Sequence, residues 1–436
     1  MDTPICDFVR QYASGGTLRL HMPGHKGSGP LGCEQLDITE VAGADSLYEA
    51  DGIIAQSEAN ASVLFSCPTF YSTEGSSQCI RAMVYLAMVS AKRQGKTPLI
   101  AAGRNAHKTF LSAVGLLGVD VQWLYGKKED SYLSCPITAA DVEALEENVT
   151  ALYVTSPDYL GNMVDIQAIS AVCCRKGILL LVDNAHGAYL RFLEPSLHPM
   201  DLGADICCDS AHKTLPVLTG GAYLHVRDEY LLAQAKKALA LFGSTSPSYL
   251  ILQSLDAANR CLAEGYGERL KKLVADLANI RAELSNYCFC GDEPMKLTIH
   301  AKAYGYTGIE LAELLRQGGV ECEFADPDYL VLMPTLETGG DGLRRVEEIL
   351  KQIPLKTPIM EMPPAVFCPE QVMPVREALL SPGEILPVEQ SEGRVLAAAT
   401  VGCPPAVPIL VCGERIDERA IACFQYYGIE TCTVVK

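Results

Sequence analysis

Positive charge is scarce in this 436-residue chain: 35 lysines and arginines stand against 53 aspartates and glutamates, a formal net charge of −18. That balance argues against nucleic acid or an anionic membrane surface as a main partner, because either one needs a basic face. Long hydrophobic runs are missing too. The apolar stretch Ile178 to Val182 stops far short of the roughly 18 residues a membrane span requires. The opening MDTPICDFVRQYASGG lacks the basic-then-apolar pattern of a secretion signal, so a soluble, cytoplasmic protein is expected. There is no Cys-x-x-Cys, although the chain holds 18 cysteines. Cys207 and Cys208 fall in a strand-like run and Cys173 and Cys174 in a helix-like run, where neighbouring side chains diverge. Only Cys288 and Cys290 are spaced to share a face. Free buried thiols are the expectation, with no metal site and no disulfide framework. With 49% hydrophobic and 20% charged residues, a disordered or collagen-like chain is excluded.

What is present is alternation. Candidate strands are Val63 to Ser66, Pro98 to Ala101, Val119 to Leu124, Ala151 to Thr155, Ile178 to Val182, Ala204 to Cys208 and Ala222 to Val226. Helix-like stretches lie among them at Ser76 to Lys92, Lys108 to Leu117, Ala139 to Asn148 and Ile166 to Arg175. Strands alternating with helices predict an α/β fold: a mostly parallel, seven-stranded sheet flanked by helices. Pro247 to Tyr287 reads as one long helix. Beyond it, a smaller α/β region carries strands at Leu297 to Ala301, Val320 to Phe324 and Tyr329 to Leu332, and helices at Ile309 to Gln317 and Leu343 to Gln352. The expected division is an arm (1–45), a major domain (46–290), a small α/β subdomain (291–355) and a proline-rich connector with a C-terminal module (356–436).

Two glycine motifs are decoys. Gly27-Ser-Gly29-Pro-Leu-Gly32 matches the dinucleotide fingerprint by letters, but no apolar strand precedes it and Pro30 interrupts it. Gly95-Lys96-Thr97 ends a helix rather than opening one, and Ser90 stands where a phosphate loop needs its first glycine. Three other features carry chemistry. Gly75-Ser76-Ser77 precedes a helix, where backbone N–H groups and hydroxyls suit a phosphate, although an ordinary helix cap reads the same way. Asp183 follows the strand Ile178 to Val182, where ligand sites of parallel sheets gather, with His186 three residues on. Lys213, in Ser210-Ala-His212-Lys213-Thr214, follows another apolar strand and is a candidate Schiff-base amine rather than a solvated lysine. A phosphate cup, a strand-end carboxylate and a strand-end lysine in that order are what pyridoxal phosphate needs.

Longer strings then bring a family into view. They are Leu20-His-Met-Pro-Gly-His-Lys-Gly27, Asp37-Ile-Thr-Glu40 with Asp45 and Leu47, and Arg104-Asn-Ala-His107-Lys108. Further on come Asp183-Asn-Ala-His186-Gly187, Ser210 to Thr214, Ser244-Thr-Ser-Pro-Ser-Tyr249, and Pro404-Pro-Ala-Val-Pro408 with Gly413-Glu414. In this order they resemble the ornithine/lysine/arginine decarboxylases, pyridoxal-phosphate enzymes of the aspartate-aminotransferase fold type, over residues 20 to about 416. The resemblance implies that Lys213 holds the cofactor and Asp183 pairs with its ring nitrogen. His107 would stack on the ring, and His186 would lie near the ring edge and the substrate. Gly75, Ser76, Ser77, Ser210 and His212 would contact the phosphate. It also implies the short type, without a receiver-like leading domain, and a homodimer in which Ser244 to Tyr249 helps complete the neighbouring site. The small-molecule substrate would be lysine, ornithine or arginine. An aminotransferase or other lyase of the same fold is an alternative and calls for an arginine clamp, for which Arg344, Arg345, Arg376 and Arg394 are available. A non-catalytic relative is a third reading. The chain departs from the family at Asp158, in Ser156-Pro-Asp-Tyr-Leu-Gly161, and at Thr219-Gly220-Gly221 and Cys403-Pro-Pro-Ala.

Overall fold

The structure, a computed structural model, describes residues 1–127, 131–403 and 407–436. The Pro404-Pro405-Ala406 part of the C-terminal motif lies outside the described residues. A seven-stranded, mostly parallel sheet organises the chain, which divides into two compact units.

The first unit combines residues 1–95 with 179–270. Its strands are β1 (Thr69–Ser72), β5 (Leu179–Asp183), β6 (Ile206–Asp209) and β7 (Ala222–Val226), in the spatial order β1-β7-β6-β5. β5 and β6 run parallel with Asp183 opposite Cys208, and β7 is antiparallel to both β6 and β1. β6 and β7 are buried along their whole length, as the apolar runs in the sequence require of strands covered on both faces.

The second unit combines residues 96–178 with 271–436. It holds β2 (Leu99–Gly103), β3 (Asp120–Leu124) and β4 (Ala151–Thr155), all parallel, in the order β4-β2-β3. It also carries a four-stranded antiparallel sheet of β8 (Phe289–Cys290), β9 (Leu297–His300), β10 (Phe324–Ala325) and β11 (Tyr329–Leu332). A C-terminal core gathers around Leu396, Ile409, Leu410, Phe424 and Val434.

Three expectations need correction. Val63 to Ser66 is not a strand. It closes the helix Ile53–Phe65, whose buried Ile54, Ser57, Glu58, Ala61 and Phe65 recur at helical spacing while Val63 is 71% exposed. The strand is Thr69–Ser72, too short and too polar to announce itself. The stretch Pro247 to Tyr287 is two helices, Tyr249–Ala263 and Tyr266–Glu283, separated at Glu264-Gly265. Of Val320 to Phe324, only Phe324 enters a strand.

In the turn from β10 to β11, Asp326 accepts hydrogen bonds from the backbone N–H groups of Asp328 and Tyr329. Burial outweighs them and pushes its carboxyl up to about 6. The folded value therefore lies above the unfolded one, near 3.9. Its stabilising contribution is complete below about pH 4 and is lost as pH rises through 6, a difference of up to roughly 3 kcal/mol. Asp326→Asn is expected to flatten that loss, so that its thermal midpoint drops less than the wild type's between pH 4.5 and 7.5. Parallel curves for the two proteins would refute the assignment.

Candidate active site

The turn between β1 and the 19-residue helix Gly75–Arg93 begins the site. No side chain caps the start of this helix and no acid occupies its first turn, whereas Lys92 and Arg93 occupy its last. The positive end of the dipole is thus left to an anion. Gly75 has φ +71°, and a Cβ there would stand 3.9 Å from His212 Cε1. Ser210 Oγ donates to Ser76 Oγ at 2.8 Å. Gln78, fully buried, braces the turn from beneath: its Oε1 accepts from Ser72 Oγ, and its Nε2 donates to Tyr48 Oη (2.8 Å) and the Leu239 carbonyl (2.9 Å).

The carboxylate of Asp183, last residue of β5, is 2% exposed. Its Oδ1 accepts from the Ala185 N–H at 3.2 Å and lies 3.6 Å from Cys208 Sγ. Burial pushes the thiols of Cys207 and Cys208 well up, so both remain neutral. β6 delivers Ser210 and the single helical turn Ala211–Thr214. There Lys213 Nζ meets His186 Nε2 at 2.7 Å, and His212 Nδ1 donates to the Gly221 carbonyl at 2.9 Å.

The departure at Gly220 has a steric reason. Its φ is +100°, its carbonyl accepts from the Gly75 N–H at 2.7 Å, and a Cβ would come within 2.8 Å of the Thr73 carbonyl oxygen. Only glycine permits this approach between the segment after Thr219 and the Gly75 turn.

Eight of the predicted residues, Gly75, Ser76, Ser77, Asp183, His186, Ser210, His212 and Lys213, thus belong to the first unit. His107 belongs to the second, where it caps the helix Lys108–Leu117: its Nδ1 accepts from the Thr109 N–H at 3.2 Å. Asp158 is also in the second unit. Its carboxylate accepts from the N–H (2.9 Å) and the Nδ2 (2.8 Å) of Asn162, and it closes that turn. Burial raises its pKa. The four arginines an aminotransferase could use as a clamp hold local partners: Arg344 holds Asp341, Arg345 the Gly318 carbonyl, Arg376 the Leu116 carbonyl and Arg394 Glu384.

The donor set fits pyridoxal phosphate. Three hydroxyls, an imidazole and an uncapped helix start suit a phosphate dianion, a buried carboxylate suits a protonated ring nitrogen, and a lysine suits an aldehyde. Sequence reasoning missed Gln78 and the polar residues behind β6. No spacing in the chain signals their role, because the contacts that join Gln78 to Leu239 and Asn184 to Asp209 span 161 and 25 residues.

Comparison with known proteins agrees with this chemistry. A family model described as "Orn/Lys/Arg decarboxylase, major domain" matches residues 3–290, and one described as "Orn/Lys/Arg decarboxylase, C-terminal domain" matches residues 356–431. The uncharacterized protein YaaO of Bacillus subtilis is 30% identical, over 97% of this chain and 93% of its own. A protein named arginine decarboxylase from the same organism is 29% identical, over 97% and 92%. Among solved structures, the Francisella novicida lysine decarboxylase LdcF superposes with a TM-score of 0.81 at 17% identity, covering 100% of this chain and 81% of its own, which shows the shared fold.

Proposed function

Because the chain belongs to the Orn/Lys/Arg decarboxylase family, we propose that it is a pyridoxal-phosphate enzyme that removes CO₂ from a basic amino acid, arginine before lysine or ornithine. The observation that carries this reading is the pairing of Lys213 Nζ with His186 Nε2 at 2.7 Å, in the unit that also holds the buried Asp183 and the Ser76–Ser210 hydroxyl pair. The preference for arginine rests on relatives of that name at 29% identity over nearly the whole chain.

When bound, the cofactor supplies an electron sink for the pair left on Cα as CO₂ departs. The chain's own residues do the rest. Ser76, Ser77, Ser210 and His212 hold the phosphate, with Gly75 leaving room. Asp183 keeps a proton on the ring nitrogen. Lys213 would be the amine that holds the cofactor aldehyde, and His186 Nε2, 2.7 Å from its Nζ, orients that amine through a hydrogen bond. His107 is assigned to the ring face by the family pattern.

The same reading includes a homodimer. Its support is an arm whose Leu18, Leu20, Met22 and Leu31 are 53–84% exposed, an apolar surface of the kind that interfaces cover. The family matches at 3–290 and 356–431 support division of the chain near residues 290 and 356.

The direct test is to incubate purified protein and pyridoxal phosphate with arginine, lysine and ornithine separately, and to measure CO₂ and amine. Stoichiometric CO₂ and agmatine from arginine, at a kcat/KM above the other two, is the expected result. No CO₂ from any of the three overturns the proposal.

A further inference from the structure

Behind β6 lies a polar cluster in which every side chain is fully buried. Asp209, the last residue of β6, has its Oδ2 at 3.1 Å from His198 Nε2 and 3.0 Å from His225 Nε2. Its Oδ1 accepts from Asn184 Nδ2 at 2.6 Å and from Cys207 Sγ at 3.8 Å. His198 Nδ1 accepts the Met200 N–H, so the proton of a neutral His198 sits on Nε2 and points at the carboxylate. His225 Nδ1 in turn faces Thr69 Oγ1 at 2.9 Å. Side chains from β1, β7 and β6 are therefore linked in one line to the turn that follows β5.

Four donors converging on one residue call for a group that only accepts, which is an ionised carboxylate. Burial alone would raise the Asp209 carboxyl, but the two imidazoles hold it well below the usual range.

The link that matters for the site is Asn184. Its backbone N–H donates to the Cys208 carbonyl at 3.0 Å, which extends the β5–β6 ladder one residue past Asp183. Its own carbonyl accepts the Gly187 N–H at 2.8 Å and so closes the turn. The amide is wedged as well as bonded: a Cβ on Gly187 would lie 2.0 Å from Asn184 Oδ1. One end of this turn is Asp183, and its fourth residue is His186, which meets Lys213.

We propose that Asp209, gripped by His198 and His225, is a positioning residue that fixes Asn184 and thereby aims Asp183 and His186. The proposal rests on the cofactor reading given above. Small displacements of groups around a reacting centre cost turnover out of proportion to their size, so the effect should fall on kcat rather than on substrate binding.

The test compares wild type, Asp209→Asn, Asn184→Ala and the double variant, each reconstituted with pyridoxal phosphate. Each single variant should lower kcat at least tenfold with KM within threefold. Each should also shift the position or intensity of the visible cofactor band, and the double variant should be no worse than the worse single one. Thermal unfolding of the cofactor-free proteins serves as the folding control. If Asp209→Asn does not fold, Asn184→Ala decides alone, since it leaves the carboxylate and both imidazoles in place. An Asn184→Ala protein with a wild-type band and kcat within twofold overturns the inference while the cofactor reading stands. A wild type that takes up no pyridoxal phosphate sinks both. One equivalent of zinc retained by wild type and lost in His198→Ala also overturns it, because His198, Cys207 and Asp209 would then be metal ligands.

Discussion

Lys213→Ala should lower decarboxylation by about 10³-fold or more, within the range that removing a catalytic group typically costs. The washed protein should be colourless where the wild type is yellow. Borohydride treatment of the wild type should fix the cofactor to the peptide containing Lys213. Asp183→Asn provides the contrast: Lys213 and the phosphate cup are untouched, so the protein should stay yellow while losing most of its turnover. Each pKa unit of support that the carboxylate gives the ring proton is worth about 1.4 kcal/mol. Labelling at another lysine would refute the first assignment, and near-normal turnover in Asp183→Asn would refute the second.

Arg104→Leu should cost about 3–5 kcal/mol of stability, the penalty for leaving one partner of a buried ion pair alone. Arg104 and Glu414 are 6% and 1% exposed, with Nη2 2.6 Å from Oε2. Nη2 also reaches the Ile409 carbonyl, Glu414 Oε2 accepts the Val411 N–H, and the guanidinium lies 5.1 Å from the centre of the Trp123 ring. The pair ties residue 104 to the C-terminal region within the second unit. Replacing both partners, as Arg104→Leu/Glu414→Leu, should recover much of the loss, because no buried charge is then stranded. Thermal midpoints of the four proteins measure this. A single variant within 1 °C of wild type would show that the pair carries no such weight.

The apolar periodicity resolves elements where burial is two-sided and long enough. Ala151–Thr155, Ala222–Val226 and Lys108–Leu117 have in the structure the bounds their patterns predict. It misleads at Val63 to Ser66, because four residues with apolar members fit the last turn of a helix as well as a strand. It overlooks Thr69–Ser72 because Thr69 and Ser72 leave only the adjacent pair Phe70 and Tyr71 to carry an apolar signal, too few to set a period. The candidate site divides in the same way. Lys213 and Asp183 are conspicuous because they end apolar strands. Asp209, Asn184 and Gln78 are not: the pair Asn184–Asp209 spans 25 residues and the pair Gln78–Leu239 spans 161, and no local pattern encodes such a pairing. Gly220, where the chain departs from the family pattern, answers a demand of backbone proximity.

The first unit is assembled from two separated stretches, 1–95 and 179–270. During synthesis, the turn at Gly75 emerges long before Ser210 and Lys213, and β1 emerges before its partner β7. At typical elongation rates the ribosome needs roughly 10–35 s to travel from residue 95 to residue 270. For that interval the amino-terminal quarter of the protein has an unpaired strand and an uncovered helix face, and it cannot yet accept a phosphate. Yield in the cell should therefore depend on holding chaperones acting on nascent chains, and added cofactor cannot rescue a chain before residue 270 has been made.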